Sequence, residues 1–145
     1  MSKARLASVS ASAAFLLAAV CLLPACHRKD SVGPARRVLA AYAAAVDAFA
    51  ARAEKVSDAA SAAAAVAGLK ADLLPVAAAV KSLGAEFPEL GNPSDAPAAL
   101  KPDVAKAEEA GSRLTAAMAK VMAWGYVPAV KEAVASLAEV EALLR

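Results

Sequence analysis

The residues best suited to covalent or metal chemistry stand close together near the start of the chain. The sequence contains two cysteines and one histidine: Cys21, Cys26 and His27. A thiol can be acylated, oxidised or bound to a metal, and an imidazole can transfer protons or ligate a metal. Chemistry that needs either group is therefore confined to positions 21–27.

The segment before Cys26 has the three parts of an export signal. Lys3 and Arg5 form a basic start, the stretch 11–23 is apolar, and the small residue Ala25 directly precedes the cysteine. An apolar run of about thirteen residues is short for a bilayer core, since a transmembrane helix needs roughly twenty. We therefore expect the segment to be removed rather than kept as an anchor.

The sequence Leu23-Pro24-Ala25-Cys26 resembles the lipobox of bacterial lipoproteins. In that family the cysteine receives a diacylglycerol thioether, the preceding peptide bond is cut, and the new amino group is acylated. The resemblance implies a signal peptide over residues 1–25 and attachment of membrane lipid at Cys26. Pro24 departs from the family pattern, which normally has a small or aliphatic residue there. His27, where an aspartate would imply retention in the inner membrane, implies sorting onward to the outer membrane, facing the periplasm.

Three other interpretations of this segment stay open. An ordinary secretory signal would release a free protein, although Leu23 fits poorly where such signals have a small residue. An uncleaved segment would remain in the membrane. Cys21, Cys26 and His27 also form Cys-x4-Cys-His, a rare variant of the c-type haem attachment motif, but Cys21 would be lost with a cleaved signal.

The charge balance bears on the partners. The chain has 16 Lys and Arg against 14 Asp and Glu, a formal charge of +2. Loss of Lys3 and Arg5 would leave 14 basic against 14 acidic residues. Nucleic-acid binding needs a basic surplus, so we expect no nucleic-acid partner. Four basic residues close to the predicted anchor suit either attraction to anionic lipid headgroups or a solvated linker: Arg28, Lys29, Arg36 and Arg37.

Alanine makes up nearly a third of the chain and favours helix wherever Gly and Pro do not interrupt it. We predict an all-α fold, an up-down-up-down four-helix bundle over residues 34–145 that follows a lipid-anchored linker over 26–33. A longer loop rich in Gly and Pro, from Ala85 to about Ala96, separates the second helix from the third. The four helices are predicted to run from Pro34 to about Val56, from an N-cap at Ser57 and Asp58 to Gly84, from Pro97 or Pro102 to Gly125, and from Pro128 onward.

Larger apolar residues recur at steps of three and four in each predicted helix, which places them on one face. We expect Phe49 of the first helix and Leu114 of the third to face a shared core, and Lys106 and Glu139 to lie on solvated faces. The alanine run 59–67 is placed inside the bundle, since charged residues follow it closely. The inward positions of the first and third helices are Leu39, Tyr42, Val46, Phe49, Ala53 and Val56, and Leu100, Val104, Ala107, Gly111, Leu114, Met118 and Val121.

The bundle carries no predicted catalytic residue, metal site or cofactor site. Structural zinc sites and ferritin-like di-iron sites need several Cys or His ligands, which residues 34–145 lack. Glu108 and Glu109 are adjacent on one helix and point in different directions, so we expect them on a solvated face. There is no Gly-rich phosphate loop and no Gly-x-Ser-x-Gly motif. We therefore expect the chain not to be an enzyme.

Aromatic residues in two connections are the candidate contacts with a protein partner. Trp124 and Tyr126 flank Gly125 between the third and fourth helices, and Phe87 lies in the long loop. Trp and Tyr combine large apolar area with a polar group and are enriched at interface hot spots, but the same residues can also close the ends of a bundle. The up-down order places Phe87 at the membrane end and the other two at the far end.

The sequence thus favours a lipid-anchored, extracytoplasmic helical bundle, a structural or protein-interaction module of the cell envelope. The alternative is a bundle that binds a small ligand or haem in a pocket lined by Tyr42, Met118 or Met122. A thin alanine core favours tight packing, and the usual haem ligand, histidine, is missing from the bundle, so the alternative ranks second.

Overall fold

The computed structural model describes residues 32–144, and these residues form α-helices and no β-strand. The predicted all-α class is confirmed. Two short 3₁₀ helices, Pro88–Gly91 and Pro93–Asp95, occupy part of the predicted long loop. The α-helices are α1 (Val32–Ala53), α2 (Ala59–Glu86), α3 (Lys101–Met122), α4 (Pro128–Ser136) and α5 (Ala138–Leu144).

The start of α2 is fixed by a reciprocal cap, as predicted for Asp58. The Asp58 backbone is extended, with φ −154° and ψ 175°. The backbone N–H of Ser61 donates to Asp58 Oδ1 at 2.7 Å, and the Asp58 N–H donates to Ser61 Oγ at 3.1 Å. Two backbone donors that a helix start leaves without intrahelical partners are thereby satisfied.

The end of α2 lies two residues beyond the predicted C-cap at Gly84. The helix includes Pro75, and Gly84 is buried within it. The backbone N–H of Phe87 still donates to the Leu83 carbonyl oxygen at 2.8 Å, so Phe87 is the C-cap. The helix therefore ends where Pro88 begins the first 3₁₀ helix.

The predicted fourth helix is divided at Leu137 into α4 and α5. The Leu137 N–H donates to the Val134 carbonyl oxygen at 3.1 Å, three residues back instead of the four of an α-helix. The Ser136 hydroxyl also donates to the Ala133 carbonyl oxygen at 2.6 Å. The apolar periodicity could not reveal this local tightening, because it continues through the break.

The helices α1 and α2 form the centre of the bundle. α1 packs against α2 and α3, and α2 packs against α1, α4 and α5, whereas α3 makes few contacts with α4 or α5. Five of the six inward residues predicted for the first helix are buried in the core. The sixth, Val56, is half-buried and lies beyond the end of α1, which stops at Ala53 and not at about Val56. The largest fully buried side chains are Phe49, Phe87, Leu69, Leu100, Val46, Val66, Val104, Val121 and Val130.

Three interhelical ion pairs set the direction of α3 relative to α1. They join Arg36 to Asp103, Asp47 to Arg113 and Glu54 to Lys120. Partners follow one another in the same order along both segments, so α1 and α3 run in the same direction. The complete up-down-up-down order stays a prediction.

Some of the larger apolar residues are only half-buried. Leu114 of α3, Val134 of α4 and Leu137 retain exposed area although they pack against the core. Leu114 is therefore not the fully buried core residue that the pattern predicted.

α2 is long and apolar enough to cross a membrane when judged by length and composition alone, and 22 % of its most apolar stretch is buried. In the bundle it packs against α1, α4 and α5 and supplies the core residues Val66 and Leu69. The alanine run 59–67 lies in the part of α2 that carries these residues, as predicted.

Candidate functional site

The connection between α3 and α4 is a compact turn that carries both candidate aromatic residues. The N–H groups of Trp124, Gly125 and Val127 each donate to the carbonyl oxygen three residues back, all at 3.0 Å. Pro128 then opens α4, a position where its missing N–H costs nothing. The side chains of the turn are therefore held on a hydrogen-bonded backbone.

Trp124 and Tyr126 have different surroundings within this turn. Trp124 is half-buried and packs against the core. Tyr126 is 71 % exposed, more than the other large exposed hydrophobic residue in the described chain, Leu143. The two interpretations left open by the sequence thus separate: Trp124 covers one end of the bundle, and Tyr126 is presented to solvent.

Gly125 allows the close packing of this turn. A Cβ atom at position 125 would lie 2.9 Å from Met122 Cε and 3.0 Å from the Met122 carbonyl oxygen. The Met122 side chain therefore lies across the glycine. Met122, Trp124, Tyr126 and Val127, all exposed or half-buried, are named the turn surface below.

Phe87 does not lie on a contact surface. It is 1 % exposed and packs in the core together with Leu90. The 3₁₀ helix Pro88–Gly91 begins directly after Phe87 and brings this segment back onto the bundle. The prediction that Phe87 contacts a partner is therefore wrong, because its side chain is buried in the core.

The turn surface lies near the carboxyl end of α1, away from the start of that helix. At one end the Arg36 guanidinium donates to Asp103 Oδ2 and to the Ala99 carbonyl oxygen, both at 2.9 Å. At the other end Glu54, the residue directly after α1, pairs with Lys120 near the end of α3. The start of α1 is thus beside residues 99–103, far from Tyr126.

Most of the ion pairs among residues 32–144 join two different segments of the bundle. The described residues contain no group of three or more His, Cys, Asp or Glu side chains placed to hold a metal ion. Glu109 pairs with Arg113 at 2.9 Å, whereas Glu108 is exposed. The two glutamates diverge, as predicted from their adjacent positions on a helix.

A small recess lies among α1, α2 and α5. Its volume is about 10 Å³, which is room for about one water molecule, while sites for drug-sized ligands occupy about 300 to 1,000 Å³. Burial raises the pKa of the Tyr42 hydroxyl. Met118 and Met122 do not line this recess, so the three residues of the predicted ligand pocket do not meet here. Its lining residues are Tyr42, Leu73, Val76, Ala77, Val80, Val140 and Leu144.

The guanidinium of Arg52 packs directly against Gly68, a contact that the sequence did not predict. Arg52 of α1 pairs with Asp72 of α2, and a Cβ at Gly68 would lie only 2.6 Å from Arg52 Nη1. Nη1 is buried and has no hydrogen-bond partner. The signal was a glycine in the alanine-rich part of α2, where alanine would otherwise be favoured.

Cys26 and the predicted signal peptide lie outside the described residues. No protein-family model, curated protein or solved structure matches this chain. Its function is therefore argued from its own residues.

Proposed function

We propose that the chain is a lipid-anchored protein of the bacterial cell envelope and that its helical bundle is a structural or protein-interaction module. The observation that carries the proposal is the apolar run 11–23 followed by Leu23-Pro24-Ala25-Cys26. Acylated Cys26 would be the first mature residue, held in a membrane that faces the periplasm. His27 favours the outer membrane as the destination.

The position of α1 supports an anchor close to the bundle. α1 begins at Val32, so five residues separate it from Cys26. Five extended residues span at most about 18 Å, which keeps the start of α1 close to the bilayer. α1 has 22 residues and is roughly 33 Å long. The turn surface, at the other end of α1, can therefore be presented well away from the lipid.

Tyr126 supports the interaction role. An exposed tyrosine on a hydrogen-bonded turn offers a large apolar ring and a hydroxyl at a small entropic cost. Half-buried Trp124, Met122 and Val127 surround it with further apolar area. We propose this turn surface as the contact with a protein partner in the envelope.

Substitution at Cys26 tests the anchor. The parent should partition with membranes, and its intact mass should include the acyl groups and lack residues 1–25. Cys26→Ser should abolish lipidation and membrane partition. Cys21→Ser is the matched control, because this cysteine is removed with the signal and its loss should change nothing.

Two results would contradict the anchor proposal. One is a Cys26→Ser protein that still partitions with membranes, which would indicate an uncleaved segment. The other is a parent protein free in the periplasm. Density-gradient fractionation then separates the outer-membrane proposal from residence in the inner membrane.

Substitution at Tyr126 tests the partner contact. A protein crosslinked to the parent in intact cells should be lost with Tyr126→Ala and retained with Leu143→Ala, a control at another large exposed apolar residue. Both variants should melt like the parent. Equal crosslinking by all three would rule out the turn surface as the contact. A visible haem band in the purified protein would instead favour the ligand-binding alternative.

A further inference from the structure

α5 is the shortest α-helix among the described residues. It has seven residues, Ala138–Leu144, and a single residue, Leu137, separates it from α4. Val140 is its one buried residue, at 5 % exposure. Helices of this length are unstable in isolation, so α5 depends on what it packs against.

α5 is held mainly by one neighbouring helix. It packs chiefly on α2, and Glu139 pairs with Lys70 at 2.8 Å. The Glu139 side chain is 66 % exposed, and exposed ion pairs contribute little to stability. The recess beside Val140 and Leu144 shows that α5 does not completely fill the space against α2.

The surface beneath α5 is an apolar groove. We define the groove by Tyr42 of α1 and by Leu73, Val76, Ala77 and Val80 of α2, all of which line the recess. Val140 and Leu144 of α5 lie four residues apart and line the same recess from the other side. The groove and α5 therefore match one another in chemistry.

We infer that α5 is a detachable cover, which opens as a unit about Leu137 and uncovers the apolar groove while α1, α2 and α3 stay folded. The opened segment has seven residues and one buried side chain of its own, Val140, whereas α1 and α3 each bury several. Regions with few buried contacts open at lower free energy than the core. The groove's matched occupant is α5 of the same chain.

Hydrogen exchange on the full chain tests the independence of α5. Backbone amides in 138–144 should exchange at least about 100-fold faster than the buried amides of α1, relative to their unfolded rates. Val140→Ala should raise exchange in 138–144 by about tenfold and leave α1 unchanged. Leu143→Ala, at an exposed position on the same helix, is the control and should change neither. Equal protection of α5 and α1 in the parent would overturn the inference.

A stronger substitution tests the groove. Val140→Asp places a charge at the buried position and should hold α5 open. Protection in 138–144 should be lost, α1 should keep its protection, and an apolar fluorescent dye should bind more strongly than to Leu143→Asp. If α5 opens independently, Val140→Asp cannot destabilise the rest of the bundle by more than the free energy that opens α5. Loss of protection in α1 would therefore overturn the inference. Unchanged dye binding would equally overturn the proposed groove.

Discussion

Phe49 of α1 and Leu114 of α3 occupy similar places in the apolar pattern, but their surroundings differ. Phe49 is completely buried, whereas Leu114 is half-buried. We expect Phe49→Ala to lower the free energy of unfolding by about 3 to 5 kcal/mol. Leu114→Ala should lower it by clearly less, about 1 to 2 kcal/mol, because folding removes less of the Leu114 side chain from water.

Urea denaturation of the domain from residue 27 onward measures both changes. Lys106→Ala is the control, since this exposed lysine should shift stability by no more than about 0.5 kcal/mol. Equal losses of unfolding free energy for Phe49→Ala and Leu114→Ala would contradict the partial exposure of Leu114.

Two helical glycines should respond differently to the same substitution. A Cβ at Gly111 would lie 3.9 Å from the Tyr42 hydroxyl oxygen, an ordinary contact, so Gly111→Ala should stabilise by about 0.5 to 1 kcal/mol through helix propensity. A Cβ at Gly68 would displace the Arg52 guanidinium, so Gly68→Ala should gain less or nothing.

Thermal melts of the two glycine variants check this contrast. In an Arg52→Ala background the obstacle at Gly68 is gone, and Gly68→Ala should then stabilise as Gly111→Ala does. If Gly68→Ala stabilises the protein equally with and without Arg52, the Arg52 guanidinium does not pack against Gly68.

Tyr42 should make the protein sensitive to alkaline pH. Burial raises its pKa, so the folded state holds the phenolic proton more tightly than the unfolded chain does. Stability is fully present below the unfolded pKa of about 10 and is lost as the pH rises toward the raised folded value. Tyr42→Phe should reduce this loss between about pH 9 and pH 11 in urea denaturation. Tyr126→Phe, on an exposed residue, is the control, and equal behaviour of both variants would contradict the role of Tyr42.

Among the helices, the start of α2 depends on Asp58. The backbone N–H of Ser61, and then its hydroxyl, donate to the carboxylate and lower the pKa of Asp58. This stabilising contribution is present above the ordinary pKa of about 3.9 and is lost as the pH falls through the lowered folded value. Asp58→Ala should lower the melting temperature at neutral pH, because the cap is lost.

Asp58→Asn separates the cap from its charge. Asparagine still accepts the capping hydrogen bond but does not titrate. On acidification to about pH 3, the melting temperature of the parent should therefore fall relative to that of Asp58→Asn. A difference that is independent of pH would contradict the charge-assisted cap.

The helix starts were more predictable than the helix ends. Asp58 and Pro128 act through local chemistry, a side-chain cap and a missing N–H, so their positions are legible in the sequence. The end of α2 and the break at Leu137 depend on which carbonyl a backbone N–H finds, which apolar periodicity does not encode. The burial of Phe87 is a tertiary effect of the same kind.

For the whole molecule, the apolar stripes predicted which faces are buried but not which helices touch. The central position of α1 and α2, and the sparse contact of α3 with α4 and α5, follow from how alanine-rich faces pair. Such faces are alike, so burial alone selects partners weakly. The exposure of Tyr126 against the half-burial of Trp124 depends on the same packing.

Charge can select a register where the apolar faces do not. Asp47 Oδ1 lies 2.8 Å from Arg113 Nε, and both side chains are partly exposed. The pairs Arg36 with Asp103 and Glu54 with Lys120 require the same register and direction of α3 along α1. Together the three pairs oppose a sliding or reversed α3, although each is weak.

A double-mutant cycle tests this register. Asp47→Ala combined with Arg113→Ala should show a coupling energy of about 0.2 to 1 kcal/mol in urea denaturation. The coupling should shrink in about 1 M salt, where the screening length falls to about 3 Å. Asp47→Ala with Lys106→Ala is the control cycle and should show none. A second cycle on Arg36 and Asp103 should give coupling of the same sign, because a parallel α3 in this register brings both pairs together at once. Zero coupling in both cycles would mean that α3 lies on α1 in another register or direction.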